Sequence, residues 1–260
     1  MIVEFVGMPG SGKTSLLPVV SEYFTAQGYN AYSVLDAARP FAGRTLAGHF
    51  VNRWVPSIFR RPLLWQIFYQ SSTVYRRRFH AKHSQLMESV FDFQAERPIS
   101  RADKEHVLDW FVHMTGCYEF FKAYAGPKDV LIFDEGFIHR VVQLFASENE
   151  IPDRQFESVY LELVPRPDLV VHPIAPHKLC EQRVYARGLW ERFQAKTPEE
   201  TSRFIANADN VVNFAVNWIK QKGWPLIEVE NGLQDVSIAQ ATLRDALKKL
   251  SLFQSTPEFG

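Results

Sequence analysis

The chain of 260 residues has few cysteines, no net charge and no long apolar run. Its two cysteines, Cys117 and Cys180, lack the spacing of a metal site, and so low a number favours a reduced compartment over a disulfide framework. The 29 basic residues equal the 29 acidic residues, so the whole molecule lacks the basic signature of proteins that bind nucleic acid polymers. No apolar run approaches the ~18 residues of a membrane-spanning helix. We therefore expect a globular protein whose partner is neither a nucleic acid polymer nor a membrane.

A glycine-rich motif begins close to the first residue. Residues 7–14 read GMPGSGKT and match the pattern G-x-x-x-x-G-K-[ST]. The motif follows an apolar run at residues 2–6 and precedes a helix-like segment, which is the strand–loop–helix context that it requires. Because the motif starts at residue 7, it leaves no room for a signal peptide. The sequence therefore predicts a cytoplasmic protein.

The chemistry of this motif predicts a phosphate-binding loop. Its glycines let successive backbone N–H groups face one anion, and the helix that follows points its positive end at the same place. Lys13 would reach the β- and γ-phosphates of a nucleoside triphosphate, and the Thr14 hydroxyl would ligate Mg²⁺. The predicted cofactor-binding residues of the loop are Gly7, Gly10, Ser11, Gly12, Lys13, Thr14 and Ser15.

Short apolar runs recur along the chain and predict five strands, at residues 2–6, 31–35, 130–133, 169–174 and 226–229. Helical patterns separate them, including residues 15–27, which Gly28 would end, and residues 236–250. Strands that alternate with helices predict a parallel three-layer α/β sheet, whose ligands bind at the carboxyl ends of the strands. We expect one domain over residues 1–254 and a flexible tail at residues 255–260.

A large insert separates the second and third predicted strands. Residues 39–126 are far more than one crossover requires, and they are rich in aromatic residues and arginines. Their apolar spacing predicts helices at about residues 62–91 and 102–124. Aromatic side chains on helix faces usually belong to a core. The alternative is that these helices enclose an acceptor, with aromatic side chains for stacking and arginines, Arg77 among them, for anions.

Two carboxylates follow the third predicted strand. An acid at this point, beside a phosphate loop, can hold the second side of Mg²⁺ directly or through water, so Asp134 is a predicted metal and catalytic residue. Glu135 has several interpretations. It could polarise water in an ATPase, serve the acceptor in a kinase as a binding residue or a base, or be a solvated carboxylate at the strand end.

The second predicted strand leads into further polar residues. Asp36 could accept a proton from an acceptor hydroxyl, or it could be a turn or cap residue. Arg39 and Arg44 follow, and arginine is well suited to two-pronged contacts with an acceptor anion. We expect these residues to face the γ-phosphate across the cleft.

Two arginines four residues apart follow the fourth predicted strand. Arg183 and Arg187 would share one helix face, and Gly188 permits a hinge or a helix end. Such a segment suits a lid, at about residues 183–200, that brings charge to a migrating phosphoryl group and excludes water. A solvated basic helix face is the alternative.

Together these motifs resemble those of the P-loop nucleoside and nucleotide kinases, especially the thymidylate kinase and deoxynucleoside kinase group. The resemblance rests on the phosphate loop, on Asp134-Glu135-Gly136 with Arg140 one turn later, on the run PDLVV at residues 167–171, and on the Arg183–Gly188 segment. It implies a five-stranded parallel sheet in the order 2-3-1-4-5, with a lid after the fourth strand.

The resemblance also implies a reaction, the in-line transfer of the γ-phosphoryl group of ATP with Mg²⁺ present. It implies that Arg183 or Arg187 stacks on adenine or contacts phosphates, that Asn231 lies near the base, and that Arg140 serves the acceptor. Thymidylate kinases usually carry Asp-Arg-Tyr or Asp-Arg-Phe where this chain has Asp134-Glu135-Gly136. The identity of the acceptor is therefore not implied.

Two functions suit the loop and the strand-end acids. The first is an ATP-dependent kinase for a nucleotide-like or other hydroxyl- or phosphate-bearing small molecule, with a homodimer left open. The second is a P-loop ATPase that acts as a switch or motor, which the pair Asp134–Glu135 favours. A GTPase is disfavoured because the sequence lacks the guanine-reading pattern Asn-Lys-x-Asp.

A third function, a kinase for a lipid-linked or glycan substrate at a membrane surface, is suggested by the first part of the insert. Basic, aromatic and aliphatic residues cluster there: Arg53, Trp54, Phe59, Arg60, Arg61, Leu63, Leu64 and Trp65. The alternative is that helix packing buries these same side chains, and if it does, we expect no membrane contact.

Overall fold

The computed structural model describes residues 1–149, 151–188, 196–232 and 235–250. One sheet contains the strands β1 (Ile2–Phe5), β2 (Asn30–Ser33), β3 (Asp129–Phe133), β4 (Leu169–Ile174) and β5 (Leu226–Glu230). They lie in the order β2-β3-β1-β4-β5, and every neighbouring pair is parallel. The predicted strands and the predicted sheet order are confirmed.

The helices in the described part of the chain are α1 (Lys13–Ala26), α2 (Val34–Gly43), α3 (Leu46–Trp54), α4 (Ser57–Lys82), α5 (Ser84–Glu96), α6 (Arg101–Tyr124), α7 (Arg140–Phe145), α8 (Arg154–Leu163), α9 (His177–Arg187), α10 (Pro198–Gln221) and α11 (Val236–Lys249). None of these described helices combines the length and the apolar run that crossing a bilayer requires. The middle of the predicted lid, residues 189–195, and the predicted tail at residues 255–260 lie outside the described residues.

Alternate residues of the central strands enter two separate cores. In β3, Val130 and Ile132 pack with side chains of α1 and α11, whereas Leu131 and Phe133 belong to the core on the side of the insert. Side chains of a strand point alternately to its two faces, so both faces of this sheet are covered by helices. A strand covered on both faces is apolar at most positions, and this is why short apolar runs predicted it. The three-layer α/β fold is confirmed.

The second strand ends two residues earlier than predicted because a helix begins there. Ser33 is the N-cap residue of α2, and its hydroxyl accepts a hydrogen bond from the Asp36 N–H at 3.2 Å. Such a cap satisfies one of the free N–H donors at a helix start. Asp36 also accepts a hydrogen bond from the Ser33 hydroxyl at 2.7 Å. Asp36 is therefore a capping residue in the first turn of α2, which is the alternative that the sequence left open.

The long helix predicted at about residues 62–91 is in fact two helices. α4 ends at Lys82 and α5 begins at Ser84, because His83 has φ −127° and ψ 43°, outside the helical region. At this turn the His83 ring stacks on Phe79 with ring centroids 4.4 Å apart. No glycine or proline marks the break in the sequence. The other predicted helix, at residues 102–124, is confirmed as α6.

Aromatic side chains form the core where α4 packs against α6. Phe68 of α4 stacks on Phe121 of α6 with ring centroids 5.5 Å apart. Gly116 permits the close approach of the two helices, since a Cβ atom there would overlap the carbonyl group of Ser72. For this part of the insert, the expectation that aromatic residues belong to a core is confirmed.

The first part of the insert is different. Leu64 is buried and Trp65 is half-buried, but Trp54, Phe59 and Leu63 are exposed. The premise that helix packing buries this cluster is therefore wrong for these three side chains. They lie where α3 ends and α4 begins.

Candidate active site

A cavity of about 950 Å³ lies where the loops after β1 and β3 begin. It is lined by Pro9, Gly10, Gly12, Lys13, Thr14 and Ser15 of the loop and α1, Asp134 and Glu135 after β3, His139, Val142 and Gln143 at α7, Ala102, Asp103, His106, Val107 and Trp110 of α6, Arg183 and Arg187 of α9, and Phe204 of α10. The fold thus brings the predicted loop, strand-end acids and paired arginines into one space.

Two glycines of the loop have backbone conformations that other residues rarely adopt. Gly10 has φ +82° and Gly12 has φ +95°. A Cβ atom at Gly10 would overlap the Cys180 carbonyl, and one at Gly12 would overlap the Asn231 side chain. Glycine is required at both positions, by conformation and by close contact with α9 and with the segment after β5.

The start of α1 directs positive charge into the cavity. Gly12 is the N-cap residue and provides no side-chain cap, so the N–H groups of Lys13 and Thr14 have no partner within the helix, whereas that of Ser15 donates to the Gly12 carbonyl at 3.1 Å. Thr14 and Ser15 stand in this first turn, and both are exposed and line the cavity. A helix start with uncapped N–H groups is an anion site, and hydroxyl groups beside it can ligate a cation that accompanies the anion.

Lys13 is held against the loop by backbone carbonyl groups. Its Nζ donates hydrogen bonds to the carbonyl oxygens of Gly7 at 3.0 Å and Met8 at 3.2 Å. Burial lowers the pKa of Lys13 to about 8, while the carboxylates of Glu135 and Asp134 oppose this shift. A phosphate anion in the cavity would favour the charged form of Lys13 still further.

Glu135 is the centre of a polar cluster. Its side chain is 39% exposed, and its carboxylate lies 3.7 Å from the Arg140 guanidinium and 3.9 Å from Nε2 of His139. Gln143 donates a hydrogen bond to it at 3.4 Å. Because three side chains surround the carboxylate at the cavity wall, the interpretation as a merely solvated strand end does not describe it.

Arg140 lies just behind the cavity wall and is buried. Its guanidinium also donates hydrogen bonds to the Gln143 side chain and, through Nε at 3.4 Å, to the Met114 sulfur. Its Cζ lies 5.7 Å from the ring centroid of Trp110. The guanidinium is therefore fixed between Glu135 and Trp110, where its charge acts on both.

Sequence reasoning missed His139 and Gln143. His139 is almost fully buried, and its Nδ1 has no hydrogen-bond partner among the described residues. Burial, with Lys13 and Arg140 nearby, holds the pKa of His139 well below its usual value, so the ring is neutral. The sequence did carry a signal, since His139 and Gln143 are polar residues in an apolar stretch, four and eight positions after Glu135.

A buried acid supports the turn that carries this cluster. The carboxylate of Glu4, in the middle of β1, accepts a hydrogen bond from the Ile138 N–H at 2.9 Å. A Cβ atom at Gly136 would overlap this carboxylate, so glycine is needed there. Burial raises the pKa of Glu4 to about 7, although the backbone hydrogen bonds lower it. Glu4 thus fixes the chain between Asp134 and α7 from beneath.

Arg183 and Arg187 share one face of α9, and both line the cavity, as predicted from their spacing. The Arg183 guanidinium donates hydrogen bonds to the carbonyl oxygens of Gly10 and Asn231, each at 3.2 Å. α9 ends at Arg187, and Gly188, which follows it, has φ +90°. Arg183 therefore ties α9 to the loop.

Three predicted cofactor-binding residues are buried and do not line the cavity. Asn231 is buried, and its Nδ2 donates a hydrogen bond to the Ser11 carbonyl at 2.7 Å. Gly7 and Ser11 are buried as well, and they do not line the cavity. These residues shape the loop from below.

Asp36 and Arg39 lie elsewhere than expected. They line a second cavity, of about 660 Å³, between β2, α2, α3 and α4. The predicted position opposite the γ-phosphate is not observed because α2 starts directly after Ser33 and carries both side chains along the edge of the sheet. Arg77 is exposed on α4 and lines neither of these two cavities.

The predicted position of Arg44 near the γ-phosphate is wrong. Its guanidinium pairs with the buried carboxylate of Asp129 and donates to the Tyr124 carbonyl at 2.8 Å. Asp129 begins β3, whereas the phosphate loop follows the carboxyl end of β1, so Arg44 lies at the opposite end of the sheet. The ten residues of α2, about 15 Å long, carry the chain over this distance.

Trp110 forms an aromatic surface on the α6 side of the cavity. It is 51% exposed, and the ring of His106 lies beside it with centroids 5.9 Å apart. The two residues are one helical turn apart, so the sequence could place them on one face of α6. It could not show that this face meets the cavity, because that depends on how α6 packs.

No family model matches this chain, and no curated protein matches it significantly. Solved structures do resemble it in overall chain path. A deoxyadenosine kinase from M. mycoides with bound dATP is 16% identical, with 96% of this chain and 100% of that chain covered and a TM-score of 0.46. A thymidylate kinase from Ehrlichia chaffeensis is 12% identical, with 95% and 98% covered and a TM-score of 0.45. These values are too low to carry an argument. The observed sheet order and loop are those that the resemblance to P-loop nucleoside and nucleotide kinases implies.

Proposed function

We propose that this chain is a kinase that transfers the γ-phosphoryl group of ATP to a small acceptor molecule. The observation that carries the proposal is the cavity in which the phosphate loop, Asp134, Glu135 and the arginines of α9 meet. Phosphoryl transfer depends almost entirely on positioning and on compensation of negative charge. This set of side chains supplies both.

The loop side of the cavity suits the triphosphate donor. The first N–H groups of α1 and the Lys13 ammonium supply positive charge for the β- and γ-phosphates. Arg183 and Arg187 add two cations at the same wall. Their charge would offset the negative charge of the transferred group in the transition state.

Thr14 and Asp134 fit Mg²⁺, since a hydroxyl and a carboxylate are the oxygen ligands that this ion prefers, and both line the cavity. Within the described residues, no group of three or more His, Cys, Asp or Glu side chains could hold a metal ion by itself. That agrees with an ion that takes its other ligands from phosphates and water. When bound, Mg²⁺ neutralises charge on the phosphates.

Glu135 and Trp110 suit the acceptor. A hydroxyl acceptor must give up its proton, and Glu135 is a carboxylate at the cavity wall that Gln143 and Arg140 hold in place. Asp36, the other candidate for this role, lines a different cavity. Trp110 offers a flat face to a planar acceptor such as a nucleotide-like molecule.

A switch or motor ATPase is the second candidate, because Glu135 directly follows Asp134 and could polarise a water molecule. The two candidates differ in whether turnover needs an acceptor.

The test is a thermal-shift screen of acceptors with Mg²⁺ and a non-hydrolysable ATP analogue, followed by ADP formation with each hit. A ligand at ~100 times its Kd adds about 2.7 kcal/mol to the unfolding free energy. We expect ADP formation to require the acceptor. ATP turnover without any acceptor hit would favour the ATPase.

The Lys13→Ala variant tests whether the loop binds ATP and is needed for ADP formation. We expect it to lose ADP formation and the thermal shift with the ATP analogue, while its unfolding temperature without ligand stays close to that of the wild type. Lys178→Ala is the matched control, because Lys178 is an exposed lysine of α9 that does not line the cavity. Full activity of Lys13→Ala would contradict the assignment of the loop.

A further inference from the structure

Six large apolar side chains stand exposed where α3 meets α4, and we call them the α3–α4 ridge. Its members are Leu46, Phe50 and Trp54 of α3 and Ile58, Phe59 and Leu63 of α4. Their exposed fractions run from 40% at Leu63 to 91% at Leu46. Scattered single exposed apolar residues are normal, but six within eighteen positions mark an interaction surface.

The shape of α3 explains why the ridge points outward. Leu46, Phe50 and Trp54 are spaced four apart, so they lie on one face of the helix. The buried side of α3 consists of Gly48 and Val51. A Cβ atom at Gly48 would overlap the Ala42 carbonyl, so α3 lies directly on the end of α2. With its inner side occupied by backbone, the helix holds its large side chains away from the core.

The segment of the sequence that contains the ridge is basic. The sequence has no aspartate or glutamate from residue 37 to residue 87, although the whole chain has as many acidic as basic residues. The same stretch contains nine arginines and lysines. Arg53 and Arg61 belong to α3 and α4 themselves and are exposed. Among the described residues, neither of them has a carboxylate partner.

A basic groove adjoins the ridge. The second cavity, of about 660 Å³, is lined by Arg39, Arg44, Arg60 and Arg61 but by one acid only, Asp36. Arg44 is engaged with Asp129, and Nε of Arg60 donates to the Val55 carbonyl at 2.7 Å. The groove therefore presents the guanidinium groups of Arg39 and Arg61 beside an apolar ridge, outside the proposed active site.

We propose that the α3–α4 ridge and the basic groove bind the surface of a bilayer that contains anionic lipids. Exposed Trp, Phe and Leu side chains enter the boundary between headgroups and acyl chains, and arginines beside them contact the lipid phosphates. Arginine can lay its apolar stem along such a boundary while its guanidinium stays at the headgroups. The proposal goes beyond the kinase function and does not depend on it.

Two other partners, a second copy of the chain and a nucleic acid, fit the charge and the apolar side chains of this surface less well. A two-fold dimer presents one surface to itself, so the arginines that flank the ridge would face their own copies. A nucleic acid would pair with the arginines but would leave six large apolar side chains against phosphates and sugars. An anionic bilayer accepts both kinds of side chain at once.

The test is cosedimentation of the full chain with two kinds of vesicle, one of phosphatidylcholine alone and one of phosphatidylcholine mixed with phosphatidylglycerol. We expect binding to the mixed vesicles, weak binding to the neutral ones, and release from the mixed vesicles as salt is raised. This comparison uses the unaltered protein, so it does not depend on the folding of any variant. Absence of binding to the mixed vesicles would overturn the proposal.

Charge substitutions then locate the surface. Phe59→Glu should lower the partition coefficient of the protein between water and the mixed vesicles about tenfold or more. The reason is that burial of one Phe side chain changes such an equilibrium by about that factor. Arg61→Glu should lower it about fivefold or more. Ile238→Glu and Arg244→Glu are matched controls on α11, where both side chains are about half exposed. Equal losses in the controls would overturn the proposal.

Two further measurements address the competing occupants. Sedimentation velocity of the wild type and Phe59→Glu shows whether the ridge joins two copies of the chain, and retention on a DNA duplex shows whether it binds a nucleic acid. We expect a sedimentation coefficient that Phe59→Glu leaves unchanged, and no duplex binding that the ridge substitution removes. A dimer that Phe59→Glu dissociates, or duplex binding that it abolishes, would overturn the bilayer proposal.

Discussion

Two carboxylates were candidates for the base, and their positions separate them. Glu135 lines the cavity of the phosphate loop, whereas Asp36 caps α2 and lines the second cavity. For a hydroxyl acceptor, we expect Glu135→Gln to lower kcat by about 10²–10⁴-fold, because the amide cannot accept the proton. The Kd of ATP should change little. Steady-state kinetics and nucleotide titration measure the two quantities.

Asp36→Asn is the matched control for this substitution. It removes the same charge from a carboxylate outside the cavity, so we expect kcat within about twofold of the wild type. A large loss of turnover in Asp36→Asn with an unaffected Glu135→Gln would reverse the assignment. Equal losses in both variants would point to a general effect of charge rather than to a base.

Glu4 makes the fold sensitive to pH. Burial raises its pKa from 4.5 to about 7, so between these pH values the folded state holds a proton that the unfolded state has lost. The stability that Glu4 allows is thus fully present below pH 4.5 and is lost as pH rises through about 7. Glu4→Gln stays neutral and keeps an oxygen for the Ile138 N–H. We expect it to raise the unfolding free energy at pH 8 by on the order of 1–3 kcal/mol.

Denaturant unfolding at pH 4.5 and pH 8 measures this effect. The difference between Glu4→Gln and the wild type should nearly vanish at pH 4.5, where both side chains are neutral. Glu22→Gln is the control, because the Glu22 side chain is largely exposed. A Glu4→Gln variant that is equally stabilised or destabilised at both pH values would contradict the buried-carboxyl explanation.

The two arginines of α9 should behave differently, because Arg183 donates hydrogen bonds to the Gly10 and Asn231 carbonyls and the charge of Arg187 acts on Lys13. Arg183→Ala removes hydrogen bonds to Gly10 and Asn231, so we expect weaker ATP binding and a loss of about 1–3 kcal/mol of unfolding free energy. Arg187→Ala should mainly lower kcat, by about 10²-fold, since its charge lines the cavity near Lys13. Kinetics and thermal unfolding of both variants measure these effects. An Arg187→Ala effect confined to stability would favour a solvated basic face.

Helices and strands were predictable where local pattern and tertiary packing agree. Strands buried on both faces are mostly apolar, so β1, β3 and β4 could be read from the sequence almost to their ends. The end of β2 was missed because the Ser33 cap starts a helix inside an apolar run. The break at His83 was missed because no glycine or proline marks it in the sequence.

The proposed site was predictable on the side of the glycine-rich loop and less so on the side of α6. Lys13, Thr14 and Asp134 belong to contiguous motifs whose geometry follows from one strand, one loop and one helix. His139 and Trp110 come from different elements, and they meet only through the packing of α6 against the turn after β3. Sequence spacing within one helix cannot indicate which distant element that helix faces.

The molecule should unfold as one unit despite its large insert. Phe41 of α2 contacts Phe121 of α6 with ring centroids 5.2 Å apart, and Tyr118 of α6 contacts Phe133 of β3 at 6.1 Å. The insert and one face of the sheet thus share a continuous core. Neither part can expose its apolar surface without exposing that of the other.

We therefore expect one cooperative transition in denaturant. Far-UV circular dichroism reports the helices, of which about half lie in the insert, and tryptophan fluorescence includes Trp218 and Trp224 near β5. The two signals should give the same midpoint and the same slope. Two separated midpoints would show that residues 39–126 form a domain of their own and would contradict the single domain predicted for residues 1–254.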